Sequence, residues 1–200
     1  MNTEKMKKAA CNLDVVVKIV GGIFGAVAWV LVAVGVLVLL LGEQMYDMGV
    51  FTLDLEYVKL YLTKDVPVEL GRIQIGIAAG LFVGGVVCFL VARGAKLVRR
   101  IFASMKEGRP FDLDAPANLR KIAWLWLIGG TLLQVWVLAD QVMMTRALPM
   151  EQIFAAPVIE KVEYFFTFDF NFVWVAIVIL FLSYVFDYGQ KLQVESDETL

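Results

Sequence analysis

From Val15 to Leu41 the chain runs for 27 residues in which Lys18 is the only charge. A helix crosses roughly 30 Å of hydrocarbon with about 20 apolar residues, and a helix is required there because no water is present to satisfy backbone polar groups. The segment therefore reads as a membrane span. Three more apolar segments follow, at about residues 75–92, 122–144 and 172–186. The expected architecture is all-α and integral to a membrane: a single domain over residues 1–200 built as a four-transmembrane-helix bundle.

Composition agrees, since 60% of the 200 residues are hydrophobic, against about half in a soluble domain. The first run is of span length and ends in Leu39-Leu40-Leu41-Gly42-Glu43, unlike the short apolar region and small-residue site of a cleaved signal peptide, so it is expected to stay in the mature protein. Cys11 and Cys88 are expected to be free thiols. The chain has no histidine, which removes the commonest general base and metal ligand. It also lacks a Walker loop, a dinucleotide fingerprint, HExxH and CxxC. No catalytic residue, metal ligand or cofactor site is expected, and the protein reads as non-enzymatic.

Lys and Arg are distributed asymmetrically. Lys5, Lys7, Lys8 and Lys18 lie in or before the first span, and Arg93, Lys96, Arg99, Arg100, Lys106, Arg109, Arg120 and Lys121 lie between the second and third. The positive-inside rule then places both termini, the linker at 93–121 and the tail at 187–200 in the cytoplasm, with loops 42–74 and 145–171 outside. Basic residues at a membrane serve topology and anionic headgroups, so direct nucleic-acid binding is not expected.

The outer loops share a pattern. Residues 51–57 (FTLDLEY) and 166–172 (FTFDFNF) both alternate apolar and polar, the period of a strand with one buried face. An unpaired edge is unfavourable, so the two are expected to pair as a small extracytoplasmic two-stranded β-ribbon, with Asp54 and Asp169 facing solvent. A belt of interfacial aromatics without strands is the other reading. Further echoes suggest two related hairpins. Asn12-Leu13 precedes Gly21-Gly22 as Asn118-Leu119 precedes Gly129-Gly130, and Arg93-Gly94-Ala95-Lys96-Leu97 is matched by Tyr188-Gly189-Gln190-Lys191-Leu192. Gly76, Gly80 and Gly84 form a small-residue stripe suited to close helix packing, either within the chain or in a homo-oligomer.

From Ala92 to Met105, Arg93, Lys96, Arg99 and Arg100 interleave with Leu97, Val98, Ile101 and Phe102. This predicts a cytoplasmic amphipathic linker helix continuing the second span, stopped by Gly108-Arg109-Pro110-Phe111. Asp112 or Asp114 is placed to cap the helix that follows. The order Arg99-Arg100-Ile101-Phe102, Gly108-Arg109-Pro110-Phe111 and Asn118-Leu119-Arg120-Lys121-Ile122, with the closing Gly189-x-x-Leu192-x-x-Glu195-x-Asp197-Glu198-Thr199-Leu200, resembles the bacterial four-span proteins grouped as domain of unknown function 2975. The resemblance covers the whole chain. It implies a bacterial inner-membrane protein and, because genes of that family often neighbour one for a small helix-turn-helix regulator, a cytoplasmic transcription regulator as partner. It implies no catalytic residues.

Two sets of residues stand out as site candidates. Thr131, Gln134 and Gln141, with Asp140 beside them, put polar groups in the third span, where they either face a ligand or bond to neighbouring helices and the outer interface. Arg93, Lys96, Arg99, Arg100 and Arg109 either dock a cytoplasmic partner or lipid headgroups, or serve topology alone. The expected function is regulatory or sensory, signalling to a cytoplasmic partner; the alternative is a small transporter, a channel, or a lipid- or ligand-binding immunity protein.

Overall fold

The computed structural model describes residues 3–46, 51–55, 58–62, 70–107, 114–147 and 168–198. In chain order these form α1 (Thr3–Tyr46), β1 (Phe51–Leu55), β2 (Val58–Leu62), α2 (Leu70–Lys106), α3 (Ala115–Ala147) and α4 (Asn171–Glu198). All four helices are long and apolar enough to cross a membrane, and the chain is a multi-pass membrane protein.

Burial follows the logic of a lipid solvent. Most of the buried apolar residues are alanines, among them Ala28, Ala78, Ala92, Ala123 and Ala176, whereas Trp29, Leu40, Trp174 and Phe181 are exposed. Where lipid tails are as apolar as leucine, large side chains gain little by turning inward, and small residues let helix backbones approach.

Each helix outruns its apolar segment. α2 continues without a break from the span at 75–92 through Ala92 to Met105 and ends at Lys106, where the Glu107 N–H donates to the Ser104 carbonyl at 3.1 Å. α3 starts after Asp114, whose carbonyl accepts the Asn118 N–H at 3.0 Å, placing Asp114 at the N-cap. Residues 108–113, with Arg109 and Asp112, lie outside the described residues, as do 148–167 between α3 and α4.

The strand pairing differs from expectation. β1 pairs with β2, antiparallel, in the register Phe51↔Leu62, Leu53↔Leu60 and Leu55↔Val58. The expected partner does not extend it: Phe168–Phe170 is neither helix nor strand, and Asn171-Phe172 already belongs to α4. Phe166 and Thr167 lie outside the described residues. A partner beginning three residues downstream closes a far smaller loop than one more than a hundred residues away, and Val58-Lys59-Leu60-Tyr61-Leu62 alternates as well as β1 does. Asp169 is a helix cap rather than a strand residue, its Oδ1 accepting the Asn171 N–H at 2.8 Å.

By its contacts the chain divides into two compact units. The first holds Met1–Val30, Gly84–Gln134 and Asp169–Leu200. Here α1 meets α2 where Gly21 faces Ala95, α2 meets α3 where Leu90 faces Gly129, and α3 meets α4 where the Phe172 side chain lies on Gly130. The second unit holds Leu31–Val83 and Val135–Phe168. In it Gly35 receives the Phe82 ring and Gly80 the Trp136 indole, and Gln74 Nε2 donates to the Val38 and Leu39 carbonyls at 2.9 and 3.1 Å. Gly76 and Gly80 thus pack α2 onto α3, within the chain.

Candidate functional site

The described polar chemistry of the first unit gathers around two anionic groups. Asp14 on α1 accepts from Arg99 Nε at 2.9 Å and from Lys106 Nζ at 2.7 Å, both on α2. The Asp14 side chain is only 15% exposed. Geometry explains how one helix serves it twice. At about 100° per residue, positions 99 and 106 fall within about 20° of each other, the face on which Ala92 and Ala95 also meet α1.

Arg93, Lys96 and Arg100 fall within about 60° of one another on a different side, displaced by about 100° from the pair on Asp14. Arg93, Lys96 and Arg100 are all exposed, and none of their side chains has a hydrogen bond or ion pair among the described residues. The five basic residues expected to act together are therefore divided: Arg99 is an internal tie, Arg93, Lys96 and Arg100 form an exposed stripe, and Arg109 lies outside the described residues.

The second anionic group is on α4. Arg120 Nε donates to Ser183 Oγ at 3.1 Å, its Nη2 lies 3.8 Å from Asp187 Oδ1, and its guanidinium stands 5.7 Å from the centroid of the Tyr184 ring. Ser183, 0% exposed, donates its own hydroxyl hydrogen bond to the Pro116 carbonyl at 3.2 Å. Lys191 completes the group, 3.2 Å from Asp187. Sequence reading had missed Asp14, Ser183 and Asp187. Their signal was an acid or hydroxyl inside an apolar helix, though nothing in the sequence names the partner.

The polar candidates of α3 are not gathered into one site. Thr131 is exposed. Gln134 Oε1 accepts the Asp169 N–H at 3.3 Å, so it holds the residue that caps α4. Asp140 and Gln141 are half-buried in the second unit, where Asp140 Oδ1 is 3.7 Å from the place a β-carbon on Gly76 would take. None of the four lines the cavity of about 390 Å³ in the first unit. That cavity lies between α2 and α3, lined by Gly94, Gly129 and Gly130 and by apolar side chains, Phe172 of α4 among them.

Comparison of the chain with family models, with curated proteins and with solved structures finds no match.

Proposed function

We propose that the protein is a non-enzymatic regulatory protein of the bacterial inner membrane, with both termini and residues 93–121 in the cytoplasm, that recruits an acidic cytoplasmic partner onto the C-terminal third of α2. The observation that carries this reading is the division of the basic residues of α2. Topology requires only positive charge, and Arg99 and Lys106 supply it while tied to Asp14. The exposed stripe of Arg93, Lys96 and Arg100 is left over, a continuous basic face on a rigid helix. The resemblance to domain of unknown function 2975 supports a helix-turn-helix regulator as that partner, the DNA being contacted by the partner.

Transport has less support. The polar residues that would line a solute path are drawn into helix contacts, as Gln134 is by Asp169, and the cavity is apolar.

Crosslinking through Lys96 in the native membrane, followed by mass spectrometry, tests the proposal. A cytoplasmic protein should be recovered in fixed stoichiometry, and the Arg93→Ala/Arg100→Ala variant, which keeps Lys96 as the crosslinking amine, should reduce its co-purification by about tenfold with insertion unchanged. Equal recovery from this variant and the parent would overturn the reading. Arg99→Ala should loosen the α1–α2 contact without affecting recruitment.

A further inference from the structure

The cavity between α2 and α3 straddles the end of the apolar segment at 75–92 and the first turns of the basic stretch that follows it. Its lining runs on α2 from Val87 to Val98 and on α3 from Ile122 to Leu133. α2 and α3 are consecutive spans and so antiparallel, and with Leu90 against Gly129, Val98 shares one end of the cavity with Ile122. Eleven residues of helix rise about 16 Å. Of that length the part up to Ala92 belongs to the apolar segment and the part from Arg93 to Val98 to the basic one, so the groove runs from hydrocarbon into the headgroup region. The lining residues Leu90, Val91, Val98 and Leu125 are half-exposed and Trp126 is exposed, so this is a groove open along its side. On helices that cross a membrane, what lies along that side is lipid.

The charges at its two ends differ. Around Val87 and Leu133 no charged residue occurs within five positions on α2 or α3. Next to Val98 and Ile122 the nearest charged residues are all cations: Lys96, Arg99 and Arg100 on α2, Arg120 and Lys121 on α3. Arg99 and Arg120 are engaged with Asp14 and with Ser183 and Asp187. Arg100 and Lys121 are exposed and make no such contact among the described residues. Long basic side chains at this level reach the headgroup region, where a phosphate is the complementary charge.

We infer that this groove is a binding site for one acyl chain of an anionic phospholipid, with the headgroup held at the Val98–Ile122 end by Lys121. Gly94 is what makes room for it. A β-carbon at Gly94 would meet nothing within 4 Å, so the space beside its backbone is empty of protein. The site differs in place and chemistry from the basic stripe, which lies on another side of α2, and it does not depend on a protein partner.

Photolabelling of the full chain tests this, in phosphatidylcholine vesicles carrying a minor fraction of phosphatidylglycerol with a diazirine on its acyl chain. Label should concentrate on residues 87–98 and 122–133, above outward-facing positions such as Val30 and Val178. Gly94→Leu should abolish that concentration, and Gly22→Leu, an equal enlargement where α1 is also open, should leave it intact. Lys121→Gln should cut the preference for phosphatidylglycerol over a diazirine-bearing phosphatidylcholine by about fivefold. Label spread evenly over the outward surface of the parent protein would overturn the site, whether or not Gly94→Leu folds. Equal labelling of the groove by both lipids would overturn its anionic assignment.

Discussion

The two pairs of consecutive helices in the first unit are tied by the same kind of bond with the charges exchanged. In α1 and α2 the acid is on the first helix, Asp14, and the bases, Arg99 and Lys106, are on the second. In α3 and α4 the base is on the first, Arg120, and the acid, Asp187, is on the second. The anchors occupy matching places in an echo of sequence, Asn12-Leu13-Asp14 against Asn118-Leu119-Arg120. Their surroundings differ. Asn118 is buried and Asn12 exposed, and Arg120 works through the enclosed Ser183 whereas Asp14 meets its cations directly. A membrane hairpin thus needs a polar tie between its helices, while the sign of each half is free so long as the halves complement each other.

The largest effect should come from the α3–α4 contact. A β-carbon at Gly130 would overlap the base of the Phe172 side chain, its Cβ and Cγ, so the helices themselves must shift. Gly130→Ala should cost about 2 kcal/mol in a denaturant titration in mixed micelles. Gly22→Ala, where nothing lies within 4 Å, should stay within about 0.5 kcal/mol of the parent protein. If both variants behave alike, close approach does not hold this pair.

Ser183 gives the next effect. Replacing it with Ala removes both the acceptor for Arg120 and the donor to Pro116 inside the protein, and should cost about 1 to 2 kcal/mol. Ser183→Thr, which keeps the hydroxyl, should lose less; an equal loss would assign the effect to packing.

Direct comparison of the two ties follows. Asp14→Asn leaves two cations without their counter-charge and should cost about 1 kcal/mol. Arg120→Gln should cost less, about half of that, because Asp187 keeps Lys191 and the Arg120 side chain is 48% exposed. The reverse order would show that Ser183 and Tyr184, rather than the charge, anchor Arg120. The smallest effect is that of salt, which should narrow the gap between the parent and Arg120→Gln more than that between the parent and Asp14→Asn, since the Arg120 pair is the better solvated of the two.

Much of the helical framework was legible because a span is a local property. Four apolar runs at 15–41, 75–92, 122–144 and 172–186 each lie inside a helix, and the continuation of the second through Ala92 to Met105 could be read from its interleaved charges. The strand at Phe51–Leu55 was legible from its alternation, but its partner was not. Two segments with similar patterns competed, and likeness of sequence pointed to residues 166–172 where proximity favoured 58–62. Among the site residues, the exposure of Arg93, Lys96 and Arg100 followed from the amphipathic reading. The diversion of Arg99 to Asp14 and of Gln134 to Asp169 did not, because each depends on a residue 85 or 35 positions away.

The sequence by itself determined that this chain lives in a bilayer, since length and apolarity are sums over neighbouring residues and lipid admits few solutions for a backbone. Only the tertiary structure decided which polar residues are spent on holding helices together and which remain outward, and that an apolar groove opens between α2 and α3. Those outcomes depend on which faces of separate helices meet, and a helix presents its residues every 3.6 positions to partners that its own sequence does not name.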